Sequence, residues 1–383
     1  MIMSTRARAF AAALALTLPA AVAVTTAGPA QAAATTRYTY VDLGVLGSWP
    51  GGETYSHAFG LNQVGQVVGY STAPETSAPR AFVWQNGSLT NLGSYYPSRF
   101  AATSARSVNG SGDVVGHGNV NDTEPPHALL FRHGQIRDLG TGLGPGSGSY
   151  ANDINDAGVV VGGRYSAQDA SRRAAIWQNG KITGLGSLGG HDGPYGTDSE
   201  AYAINENGQV VGAAKPADGP LHGFLWNGRR MRDIGTLGGD NEATIATDIN
   251  DVGQITGNSP NAAGQVHAFL WQNGAMRDLG APAGVASVDA RAANNHGQVV
   301  GSFLYSTGFL DPESHLRAAI SVNGVMTDLQ PLVENMPAGI TLWTANDIND
   351  DGVIVGATCI GECYPDHRLR AGHAFMLVPK KAG

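Results

Sequence analysis

The side chains with the most chemical capacity recur at fixed places. His127, His222, His267 and His373 alternate with Arg80, Arg173 and Arg317 at equivalent positions of a repeated motif. Facing a channel, such a set could bind an anion. The alternative, which we adopt, is that each satisfies backbone or a carboxylate in its own unit, with Asp153, Asp248 and Asp347 as candidate partners. Asp347-Ile348-Asn349-Asp350-Asp351-Gly352 fits the first half of a calcium loop, but Thr358 stands where a bidentate glutamate is needed. A tight turn explains that segment without metal. Cys359 and Cys363 are four apart, and His367 and His373 follow them. In an oxidising compartment a local disulfide is preferred over a zinc site.

No G-x-S-x-G, H-E-x-x-H or phosphate-loop motif occurs. The remaining acids (Glu53, Glu124, Asp192, Asp198, Glu200, Asp240, Glu242, Asp311, Glu313, Glu334 and Asp366) are scattered with no recurring partner, as on a solvated rim. An active site drawn from several units would take one residue from each. It would then suit a polysaccharide hydrolase or lyase, whose carboxylate pair must sit about 5 to 10 Å apart. Aromatic residues are the other resource. Trp49, Tyr95, Tyr96, Tyr165, Tyr195, Tyr305, Trp343 and Tyr364 fall between the repeated motifs, and flat rings pack on sugars or peptides. These eight are the candidate ligand-binding residues.

The elements that position them come from repetition. The segment Ala-x-x-(Ile/Leu/Val)-Asn-x-x-Gly-x-(Val/Ile)-x-Gly occurs seven times, beginning at Ala58, Ala105, Ala151, Ala201, Ala246, Ala290 and Ala345. Each copy is followed by His or Arg, a small residue and an apolar run, then Asn-Gly or His-Gly, then Asp-Leu-Gly. Trp271 to Gly280 shows the second half in full. Asn-x-x-Gly reads as a turn and Asn-Gly as a hairpin. Each unit is therefore four short strands, which predicts a propeller blade. The last unit stops after its third strand, whereas Asp42-Leu43-Gly44 near the other end matches the missing fourth. The expected fold is all-β, a seven-bladed propeller closed by residues 38–44, with units near 58–94, 105–140, 151–186, 201–235, 246–280, 290–329 and 345–377. Trp84, Trp177, Trp226 and Trp271 recur on strand three and are expected to pack between blades.

Composition agrees. Charged residues make up 14% of the 383 and glycine contributes 54, which favours strands and turns over long helices. A net charge of −8 argues against nucleic acid. Arg6 and Arg8, an apolar run from Ala11 to Val24 and Ala30-Gln31-Ala32 describe a secretory signal, with residues 33–383 as one mature domain. No later stretch is apolar enough to insert into a membrane.

The His-Ala-Phe runs at 267–269 and 373–375, with the Ile-Asn-x-x-Gly-x-Val-x-Gly segments, resemble the extracellular HAF-repeat family. The likeness covers nearly all of residues 33–383, although Arg80, Arg173 and Arg317 replace the signature histidine. It implies a secreted repeat protein and carries over no catalytic residue. The expectation at this level is a secreted, monomeric, non-enzymatic binding module or scaffold. It would hold a saccharide or protein on its long-loop face, with no cofactor.

Overall fold

The computed structural model describes residues 36–98, 101–189, 198–239, 242–305, 315–361 and 372–380. The expected signal segment, Cys363, Tyr195 and Tyr364 lie outside them. The described residues belong to one compact unit of antiparallel strands with a single short 3-10 turn, Gln330–Leu332. No helix among them is long and apolar enough to cross a membrane.

The strands are those the repeat dictates. In the unit beginning at Ala58 they are Ser56–Leu61, Val67–Ala73, Thr76–Gln85 and Ser88–Asn91, hydrogen-bonded in that order. Asn62 makes the first turn by accepting the N–H groups of Val64 and Gln66 on Oδ1, at 3.2 and 2.9 Å. Asn86 and Gly87 make the second, both with positive φ (51° and 82°), the twist a two-residue hairpin needs. Four-stranded sheets of this kind recur along the chain, and two neighbours join through a single parallel pair, Val266 with Ser287. Tyr38–Gly44 runs antiparallel to Ala374–Pro379, with Tyr40 opposite Leu377. The architecture is a β-propeller.

The cores lie between adjacent sheets. One cluster joins Val68 and Ala81 of one unit to Ala105, Val108, Val114 and Leu129 of the next. Another joins Leu43, Val355 and Ala374 to Ala58 and Phe82. Trp84, Trp177, Trp226 and Trp271 each belong to such a cluster, as their recurrence implied. Polar bonds tie the sheets as well. The Nδ2 of Asn62 donates to the carbonyl of Asn109, and Asn109, Asn155, Asn205, Asn250 and Asn294 each donate onward to the next unit's asparagine. Asn349 donates to Asn62.

The first strand of every unit carries an irregularity that alternation in the sequence does not announce. Register slips by one residue after Ala58, Ala105, Ala151, Ala201, Ala246, Ala290 and Ala345. A bulge re-aims one side chain. Here the fixed Gly on strand two permits it: a Cβ on Gly69 would lie 1.8 Å from the carbonyl oxygen of His57.

Candidate active site

The bulged residues line the central channel. They are Phe59, Arg106, Asn152, Tyr202, Thr247, Arg291 and Asn346, each following the fixed alanine of its unit. The alanine before and the asparagine after hardly vary, whereas this position never settles on one type. Comparison of the repeats within the one chain could have singled it out. In the sequence its variability reads as that of an ordinary strand residue, because a bulge leaves no mark in the pattern.

At the long-loop end two cavities meet. One, of about 330 Å³, is lined by Phe59, Tyr202, Asp289, Arg291 and Asn346 among others. The second, of about 270 Å³, is lined by His117, Tyr150, Tyr165, Arg172 and Glu200 among others. Arg106 and Asn152 line both. Glu200 and Asp289 stand at the equivalent position, immediately before Ala201 and Ala290, so the repeat geometry sends both carboxylates to the same mouth. Glu200 accepts from Asn152 Nδ2 at 3.2 Å and faces an Arg172 nitrogen at 3.7 Å. Asp289 accepts from Asn258 Nδ2 at 2.8 Å and pairs with Arg291 at 2.6 Å.

Arg106 sits with its guanidinium carbon 4.3 Å from the centroid of the Phe59 ring, a cation–π contact. Burial lowers its pKa, and the like charge of Arg291 acts in the same sense, while Tyr70 and Glu200 oppose. His117 is pushed down to about 3 by burial and then by Arg106, so it is neutral at pH 7. Its ring meets Tyr150 edge-on at 5.0 Å, and its Nδ1 is buried without a hydrogen-bond partner. The mouth therefore offers two carboxylates, an unpaired cation, a neutral imidazole and aromatic rings.

The channel behind it uses acids structurally. Asp347 accepts the N–H of Leu61 at 2.8 Å, Asp153 that of Ile204 and Asp248 that of Ala293. Each reaches across to the following unit, where Gly60, Ala203 or Ala292 leaves room. These aspartates were expected to partner the recurring histidines, and that is corrected. The histidines instead pair with the Asp of Asp-Leu-Gly: His127 with Asp138 at 2.9 Å, His222 with Asp233 at 2.7 Å, His267 with Asp278 at 2.9 Å and His373 with Asp42 at 3.0 Å. Strand four runs beside strand three, so this partner is the nearer one. At the arginine positions, Arg317 reaches Asp328 at 3.6 Å, Arg173 pairs with Asp169 and Arg80 donates to the carbonyl of Ala101.

The loop aromatics are not gathered together. Trp49 and Tyr95 are exposed, and Tyr96 donates its hydroxyl to Asp122 at 2.9 Å. Tyr305 stacks on His315 at 5.0 Å. Trp343, expected in a loop, is only 6% exposed on strand Ile340–Ile348, edge-on to His57. Of the eight, only Tyr165 lines a mouth cavity among the described residues. Cys359 is buried on Ile354–Ile360; its expected partner lies outside the described residues.

No protein-family model and no curated protein matches the chain. Among solved structures it is similar to a prolyl endopeptidase, with TM-score 0.54, 9% identity, and coverage of 86% of this chain and 51% of that one. It is also similar to a puromycin-hydrolysing peptidase of Mycobacterium tuberculosis, with TM-score 0.52, 13% identity and coverage of 82% and 53%. A puromycin hydrolase gives TM-score 0.51, 14% identity and coverage of 84% and 54%. This chain spans about half the length of each. At such identities the likeness bears on fold alone, and it agrees with a β-propeller. All three are named as hydrolases, and, independently of them, Glu200 and Asp289 line two cavities that share Arg106 and Asn152. The expected non-enzymatic binding module is corrected accordingly.

Proposed function

We propose that this chain is an extracellular saccharide hydrolase whose active site is the long-loop mouth of the channel. The observation that carries the reading is the placement of Glu200 and Asp289 at equivalent bulge-flanking positions, on two cavities that share Arg106 and Asn152. Glycoside hydrolysis needs two carboxylates flanking the scissile bond. In this reading Glu200 donates its proton to the glycosidic oxygen as the C–O bond breaks. Asp289, held by Asn258 and Arg291, takes a proton from the water that attacks the anomeric carbon. Tyr150, Tyr165 and Tyr202 supply flat surfaces for sugar rings.

The finer architecture belongs to the same proposal. Seven blades, closed where residues 38–44 complete the last sheet, are supported by seven sequence repeats and by the pairing of Tyr38–Gly44 with Ala374–Pro379. The onward bonds from Asn62 to Asn349 and back to Asn62 support it too. Secretion after removal of residues 1–32, a Cys359–Cys363 disulfide, membership of the HAF-repeat family and a monomeric state remain our expectations from the sequence.

The test is release of reducing ends from a panel of neutral and acidic polysaccharides by residues 33–383, beside Glu200→Gln and Asp289→Asn. Turnover by the parent protein that either substitution abolishes is the expected result. Equal turnover by all three proteins removes these residues from the mechanism.

A further inference from the structure

Arginine is distributed unevenly in this acidic chain. Arg106, Arg164, Arg172 and Arg291 all line the two cavities at the mouth, although the net charge is −8. Three of them have partners. Arg291 pairs with Asp289 at 2.6 Å, Arg172 faces Glu200 at 3.7 Å and Arg164 donates to the Thr141 carbonyl at 3.3 Å. Arg106 differs: among the described residues its guanidinium makes no hydrogen bond and no ion pair, only the Phe59 ring contact. Arg106 is half-buried and lines both cavities, so its guanidinium is free to pair with an anion there, and such charge-assisted pairs are strong. Among the described residues, the Nε atoms of Arg164 and Arg291 and the Nδ1 of His117 are buried without partners in the walls of these cavities. His117 and Arg164 line one of the two cavities and Arg291 the other, and unsatisfied polar groups beside a cavity mark a place where a ligand can complete the hydrogen bonding.

We propose that the mouth takes a saccharide bearing a negatively charged group, carboxylate or sulfate, which Arg106 binds. The inference rests on the hydrolase reading for the sugar and on Arg106 itself for the charge. Phe59 holds the guanidinium carbon 4.3 Å from its ring centroid, and a guanidinium can bind the two oxygens of one anion bidentately. Arg291 lines the same cavity and adds positive potential there.

Isothermal titration calorimetry on residues 33–383 carrying both Glu200→Gln and Asp289→Asn tests this, because the probe is then not consumed. The probes are trigalacturonate, a sulfated galactan trisaccharide and neutral galactotriose. The expected result is binding of at least one acidic probe, weakening with salt, at least tenfold tighter than the neutral one. Arg106→Gln abolishes that difference and Arg106→Lys retains part of it. Which acidic probe binds tells carboxylate from sulfate. Equal affinity for neutral and acidic probes, no binding of either acidic probe, or indifference to Arg106→Gln in protein that melts normally overturns the proposal. The two readings fail separately. Arg106-dependent binding by a chain that hydrolyses nothing removes the hydrolase and leaves the anion site. Glu200-dependent cleavage with no Arg106-dependent binding does the reverse.

Discussion

A Cβ placed on Gly69 would stand 1.8 Å from the carbonyl oxygen of His57, and the same clash recurs at Gly116 with Ser104 and at Gly162 with Tyr150. The fixed glycine of strand two thus makes room for the bulge of strand one, and the bulge turns Phe59, Arg106 or Asn152 into the channel. Gly69→Ala is expected to destabilise by about 3 kcal/mol or more, because backbone rather than a mobile side chain must move. Gly87→Ala, where nothing lies within 4 Å but φ is +82°, should cost only about 1 kcal/mol. Urea midpoints of the two variants check this; similar losses would mean the bulge does not depend on the glycine.

The asparagine bonds between units give a second expectation. Asn250 donates to the Asn294 carbonyl at 2.8 Å and accepts the Gln254 N–H at 2.8 Å, while 6% exposed. Asn250→Ala leaves those groups unsatisfied and should cost roughly 1 to 3 kcal/mol. An unchanged urea midpoint would contradict it.

Stability should fall between pH 7 and pH 9. Burial pushes the carboxyls of Asp153, Asp248 and Asp347 up to about 7, 6 and 8, against an ordinary 3.8. Above pH 7 the folded state still holds protons on Asp347 and in part on Asp153 that the unfolded chain has released, whereas Asp248 has given up its own by then. Their contribution is complete below pH 3.8 and is lost as pH rises through those raised values. His127 and His373, raised chiefly by their bonds to Asp138 and Asp42, act in the same direction. His117, depressed to about 3, contributes stability above pH 6.5 that is lost on acidification, so it scarcely changes in this window. A melting temperature lower at pH 9 than at pH 7, with a smaller drop in Asp347→Asn, is expected. Equal drops in the two proteins would exclude Asp347 as a contributor.

Removing the Glu200 proton donor should lower turnover by roughly 10² to 10⁴, the usual range for a general acid. Folding should be unaffected, since among the described residues Glu200 is held by Asn152 and a distant Arg172 alone. Parallel circular dichroism melts and initial rates on Glu200→Gln measure both; a lowered melting temperature that accounts for the lost rate would point to a structural role.

Much of the fold was legible because the chain repeats itself. Asn-x-x-Gly and Asn-Gly fix both turns locally, and the Asp-Leu-Gly match alone places residues 38–44 beside the last unit, where they pair with Ala374–Pro379. The site was less legible. A bulge leaves no mark in an alternating pattern, so Arg106 and Tyr202 read as ordinary strand residues. Glu200 stands among the scattered acids, although its place immediately before Ala201 matches that of Asp289 before Ala290; only the fold shows that this position reaches a cavity. Trp343 was misplaced because residues 330–344 look like a loop, whereas the strand starts at Ile340 and buries the indole. The histidine partners differ from the expected ones because a carboxylate on the neighbouring fourth strand lies closer than one on strand one, eleven residues ahead for His127, His222 and His267 and on Tyr38–Gly44 for His373.

The most direct measurement is reducing-end release from polygalacturonate, a sulfated galactan and a neutral galactan by residues 33–383, run beside Glu200→Gln and Asp289→Asn. The account predicts turnover of a polysaccharide by the parent protein, reduced at least a hundredfold in both variants while their melting curves stay in place. No turnover on any of the three, or turnover that survives both substitutions, would contradict a hydrolytic site at the channel mouth.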